Sequence, residues 1–121
     1  MREIKVRAFD KKYKRMYYSE TGNVFLDDSE WKIERIFENS DHIEYVLVDG
    51  KKVFLMQYTG LKDKNGVEIY GGDIVTTEGC HGETIVSWDT ELLAWVLPRH
   101  QDESLYNQKG FEVIGNIYEN P

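Results

Sequence analysis

Cysteine is almost absent from this chain: Cys80 is the one thiol in 121 residues. A lone cysteine forms no intramolecular disulfide, so a reducing cytoplasm is the expected compartment. No stretch reaches the 18 consecutive apolar residues that a membrane-spanning helix needs. At the amino terminus, Met1-Arg2-Glu3-Ile4-Lys5-Val6-Arg7 breaks its apolar residues with charge and is not expected to act as a secretory signal. Proline is scarce too, and Pro98 suits the end of a strand. Low-complexity tracts, internal repeats and linkers are all missing. One domain spanning residues 1–121 is expected, long enough to bury a core without metals.

What the chain does have is aromatic rings and unevenly placed charge. Hydrophobic residues at 40% and aromatics at 13% argue against disorder, although 31% of residues are charged. Three Trp, eight Tyr and five Phe suit pleated, half-buried surfaces. The net charge of -7 conceals an asymmetry. Residues 1–15 carry seven basic side chains against two acidic ones, and the other 106 residues carry eight against twenty. A basic amino-terminal segment is therefore joined to an acidic body. Opposite-sign regions of this kind pack together, within a chain or between copies, and a local basic patch also grips phosphate.

Periodicity predicts strands. Residues 3–19 form an expected hairpin in which Ile4, Val6 and Ala8 alternate with Lys5 and Arg7, and Asp10 to Arg15 make an exposed charged tip. Across residues 29–37 two patterns compete. Ser29 as a cap with Ile33, Ile36 and Phe37 on one face predicts a short helix, while Trp31 and Ile33 also alternate as in a strand. A short helix is taken there. Residues 42–58 predict a second hairpin, its arms joined by Asp49-Gly50 with Val46 opposite Val53 and Tyr45 opposite Phe54. Both of its faces are apolar, so it is expected to lie covered on both sides. Past the Asn65-Gly66 turn, short runs at 68–70, 73–77, 83–89, 93–97 and 111–118 recur at the spacing of a small barrel or sandwich. Two lobes, 1–58 and 59–121, sharing one core complete the expected, mostly β architecture.

Familiar site chemistries fail on ligand count or spacing. Asp63-Lys64-Asn65-Gly66 resembles a calcium loop, but placing Gly66 at the loop glycine leaves Leu61 and Gly72 at the first and last ligand positions. Cys80 with the scattered His42, His81 and His100 does not make a four-ligand zinc site. Beside Cys80, His81 lacks a third group to orient it as a base. Gly71-Gly72-Asp73 is not followed by the helix and Lys-Ser/Thr of a phosphate loop. No enzyme, cofactor or metal is expected. Two sets of residues remain as candidate contacts. The first is Lys11, Lys12, Tyr13, Lys14 and Arg15, with Tyr17 and Tyr18 beside them, because cations interleaved with aromatics hold single-stranded nucleic acid. The second is Tyr58, Tyr70 and Trp88, with Trp95 nearby, because small barrels recognise ligands through exposed rings.

Three stretches carry a family likeness: Arg7-Ala8-Phe9-Asp10 with Lys12 and Met16, the run from Leu55 through Asn65-Gly66 to Val75, and Phe111 to Pro121. In order and spacing the chain resembles the YopX family of bacteriophage and prophage proteins. It departs from that pattern at Phe9, where the family often has Trp, and at Gly71, where it often has Glu. The resemblance implies a phage or prophage origin, a bacterial cytoplasm, and a β-rich fold whose carboxy-terminal half is an SH3-like small barrel. It supplies no site. The expected function is a non-catalytic protein-interaction or assembly module, its partner a second copy or a host or phage protein. Nucleic-acid binding through the basic hairpin is the alternative.

Overall fold

A computed structural model describes residues 5–76, 83–89, 94–96 and 111–119. The chain is mostly β and divides into two compact units, Met1–Gln57 and Tyr58–Pro121.

The first unit opens with the expected hairpin, β1 (Val6–Asp10) against β2 (Arg15–Tyr18), in the register Ala8 to Tyr17 and Phe9 to Met16. The other edge of β1 pairs with the beginning of β6 (Val53–Lys62), placing Ala8 opposite Leu55. Between β2 and β6 the chain makes a short 3-10 turn, Ser19–Thr21, and then a meander of β3 (Val24–Asp27), β4 (Glu30–Arg35) and β5 (Glu44–Leu47). Alternation decides what each strand buries. Val6, Ala8 and Tyr17 from the hairpin, Val24 and Ile33 from the meander, and Val53 make one cluster, with Trp31, Val46, Val48 and Leu55 packed against it.

Two expectations are corrected here. Residues 29–37 contain no helix: Glu30–Arg35 is a strand, and Ser29 is the second residue of a two-residue turn. Asp28 and Ser29 both have positive φ, 49° and 67°, as a type I′ hairpin turn requires. The period-2 signal of Trp31, Ile33 and Arg35 prevails because β4 has a ladder on each side. The 42–58 hairpin is not formed either. Asp49 and Gly50 do turn the chain, with the Asp49 carboxylate accepting N–H bonds from Lys51, Lys52 and Val53. Yet β5 pairs with β4, Ile33 facing Val46, while β6 pairs with β1. In consequence β5 is an edge strand with one bare face, on which Tyr45 and Leu47 are exposed. A good turn sequence fixes where the chain reverses. It does not fix the pairing of its arms when better partners exist.

In the second unit, the end of β6 pairs with β7 (Glu68–Tyr70), and β8 (Asp73–Thr76) lies between β9 (Thr84–Ile85) and β12 (Glu112–Asn116). β10 (Ser87–Asp89) and β11 (Ala94–Val96) form a separate hairpin. Ile69, Val75, Val86, Trp95 and Phe111 are buried together, with Leu61 and Val113 against them. Each unit thus has a hydrophobic cluster of its own. Among the described residues no ladder closes these strands into an SH3-like barrel. Asp63 organises the turn before β7. Its Oδ1 accepts from the Asn65 and Val67 amides and its Oδ2 from Val113 on β12, all at 2.8–2.9 Å. Gly66, with φ of +82°, supplies the left-handed corner. No described helix is long and apolar enough to cross a membrane.

Candidate functional site

The tip of the β1–β2 hairpin holds the first set of candidates. Lys11, Lys12, Tyr13 and Lys14 are all exposed, and Lys14 takes a left-handed φ of 52°. Tyr13 is 48% exposed, with Lys12 Nζ 5.4 Å and the Arg35 guanidinium 4.9 Å from its ring centre. Phe37 meets the same ring edge-on at 5.7 Å. Tyr17 is buried in the core cluster beneath Arg15 and accepts a bond from the Ile36 amide, so of the three hairpin tyrosines Tyr13 and Tyr18 are open to solvent. Among the described residues no carboxylate lies within ion-pair distance of Lys11, Lys12, Lys14 or Arg15. Asp10 was expected in the exposed tip. It is instead fully buried, because it occupies the same face of β1 as Val6 and Ala8.

Beneath the tip lies a network that the sequence did not signal. Arg35 grips Asp10 with two bonds, Nε to Oδ2 at 2.8 Å and Nη2 to Oδ1 at 3.1 Å, and reaches Glu44 through Nη1. The Asp10 bond holds the guanidinium pKa above its ordinary value against the opposing cost of burial. The same guanidinium, with a smaller contribution from His42, draws the Glu44 carboxyl below the usual range. His42 Nε2 lies 3.4 Å from Glu44, and its ring packs on Phe37.

The opposite face of the β3-β4-β5 sheet is open. Cross-strand pairing puts Phe25 beside Lys32 and Glu34 beside Tyr45 on this face, while Ile33 and Arg35 point the other way. Phe25 and Tyr45 lean across β4 to meet edge-to-face at 5.8 Å. Together with Gly22, Asp27, Lys32 and Glu34 they line an open cleft of about 370 Å³. Lys32 is engaged by Asp27 at 2.8 Å, which raises its pKa. Among the described residues the Glu34 carboxylate has neither a hydrogen bond nor an ion pair. Sequence reasoning missed this face because a helix assignment scatters Lys32, Glu34 and their neighbours. The available signal was the polar half of the β4 alternation.

In the second unit Tyr70 is a core residue at 2% exposed, its ring 5.5 Å from that of Tyr58. Trp88 is 47% exposed and stands edge-on to the buried Trp95 at 5.3 Å. Gly71 lies against that buried ring, and a Cβ there would come within 2.5 Å of Trp95 Cζ3. The tip cations and the Tyr58–Trp88 group thus belong to different units. Cys80, His81 and His100 lie outside the described residues. No cluster of three His, Cys, Asp or Glu with metal-binding geometry occurs among those described.

A family model described as YopX protein matches residues 5–121 of the chain. Among solved structures, the crystal structure of protein EF1440 from Enterococcus faecalis is similar, with a TM-score of 0.63 and 28% identity. That alignment covers all of this chain and 97% of the other. No curated protein matches.

Proposed function

The chain belongs to the YopX family, and from that membership and the open sheet face we propose a non-catalytic protein-interaction or assembly module, encoded by a phage or prophage and working in the bacterial cytoplasm. One observation carries this reading. Edge strand β5 presents Tyr45, 62% exposed, and Leu47 to solvent, with Ile43 exposed just before it and Phe25 on the same face. Contiguous apolar surface on an edge strand is a pairing liability unless a partner covers it. The test is sedimentation velocity of the full chain beside affinity capture with wild-type and Leu47→Lys protein as baits. Self-association or a captured partner that Leu47→Lys abolishes supports the module. A strictly monomeric chain whose two baits recover the same proteins argues against it.

Nucleic-acid binding has a separate observation in its favour: the exposed ring of Tyr13 sits among the tip lysines with the Lys12 ammonium over it, and Lys12 has no carboxylate partner among the described residues. Binding of labelled single-stranded oligonucleotides at ~50 mM salt, where phosphate contacts are strongest, decides it. Binding that weakens steeply with salt and falls in Lys12→Ala and Tyr13→Ala supports this alternative. No binding at low salt removes it.

A further inference from the structure

We infer that the Phe25–Tyr45 cleft binds an ammonium group, and that its occupant is a lysine from the β1–β2 tip of a second copy of this chain. The inference deepens the assembly reading and rests on it. Three features of the cleft suit a cation. Two aromatic rings, Phe25 and Tyr45, line it, and aromatic rings attract cations through their quadrupoles. Glu34 offers a carboxylate with no partner among the described residues, whereas Lys32 and Asp27 already neutralise each other. Asp28 in the turn and Glu30 at the start of β4 add to this, so the hairpin's solvent side carries Asp27, Asp28, Glu30 and Glu34 against Lys32. The tip offers the complement, with Lys11, Lys12, Lys14 and Arg15 free of carboxylates among the described residues.

Strand alternation excludes occupation by the same chain's own tip. Tyr13 of the tip packs on Arg35, and Arg35 projects from the face of β4 opposite to Glu34. The tip and the cleft therefore lie on opposite sides of one three-stranded sheet. A tip-to-cleft contact between copies is heterologous, so it propagates head to tail into a ring or a filament. Attraction between opposite charges at an exposed site makes the contact salt-sensitive.

Charge-swapped variants test the pairing. Wild-type protein should associate in sedimentation velocity at ~50 mM salt and dissociate at ~500 mM. Glu34→Lys alone, and Lys11→Glu/Lys12→Glu/Lys14→Glu alone, should each weaken association by more than about a hundredfold, because like charges then face each other. An equimolar mixture should recover association, since each variant's tip now meets a cleft of opposite charge. Carbodiimide coupling of the wild type should join Glu34 to a tip lysine, seen as an intermolecular cross-linked peptide. Recovery on mixing is a result that misfolding does not produce. If Glu34→Lys associates as the wild type does, the tip-to-cleft pairing falls while assembly through another surface stands. A wild type that is monomeric at low salt removes both the pairing and self-assembly. Shifts of the Tyr45 ring resonances with tetramethylammonium, in a chain that stays monomeric, would make the cleft a small-cation site and overturn the second-copy assignment.

Discussion

The two units bury carboxylates by different means. In the first, Asp10 is fully buried and its charge is met by Arg35, which lies 25 residues away in sequence. In the second, Asp63 is buried and is met by backbone amides, two in its own turn and one from β12. Burial alone would raise the Asp63 pKa, and the Val113, Val67 and Asn65 amides together outweigh it, so the carboxyl stays below its ordinary value. An ion pair of this kind depends on one partner side chain, and losing that partner strands a charge. Amide capping divides the dependence among several groups that the backbone already holds in place.

The largest expected effect tests that difference directly. Arg35→Met leaves Asp10 buried without its cation, and denaturant unfolding should show a loss of about 3–5 kcal/mol. Asp10→Leu combined with Arg35→Met should recover most of that loss, because a buried pair replaced by apolar groups is close to neutral. A single variant as stable as wild type would mean that water reaches Asp10. Next in size, Asp63→Ala strands three amides and should cost about 2–3 kcal/mol, with faster hydrogen exchange at Val113 as its specific sign. Should the Val113 amide stay protected, the link from the turn to β12 is not held by Asp63. Gly71→Ala should follow at about 1–3 kcal/mol, since the added methyl overlaps the buried Trp95 ring. Pairing it with Trp95→Leu should bring a smaller penalty than Gly71→Ala brings in the wild type, which a double-mutant cycle reads.

The smallest effect concerns Asp49, an exposed carboxylate of the first unit that is capped by amides as Asp63 is. Bonds from Lys52, Lys51 and Val53 lower its pKa from 3.8 to about 2. A depressed folded-state value stabilises the protein above the unfolded value, and the contribution disappears as pH falls through about 2. Between these limits the melting temperature should fall less steeply in Asp49→Asn than in wild type. Identical slopes would show that the Asp49 bonds do not discriminate folded from unfolded chain.

Local chemistry was legible in the residues. The β1–β2 hairpin follows from Val6 and Ala8 alternating with Arg7 and from the charged stretch behind them. Reversals at Asp49-Gly50 and Asn65-Gly66 follow from residue types that tolerate turn geometry. Partner choice was not legible. Val46 was expected opposite Val53, and only the placement of β4 gives it Ile33 instead. Ser29 looked like a helix cap because Ser prefers both caps and turns, and the ladders on either side of β4 settle it as a turn. The tip cations were visible as a run of charge. The cleft was not, since Phe25, Glu34 and Tyr45 come together only when β3, β4 and β5 align.

The sequence by itself determined the mostly β character, the reversals at Asp49-Gly50 and Asn65-Gly66, and the division between a basic start and an acidic body. Each of these depends on side-chain preference or charge within a few residues. Tertiary structure alone decided which strands pair, that Asp10 is buried under Arg35, and that β5 leaves one apolar face bare. Such outcomes depend on competition among distant partners, and the free energy of burying Ile33 or pairing Asp10 exists only once the chain has brought those partners together.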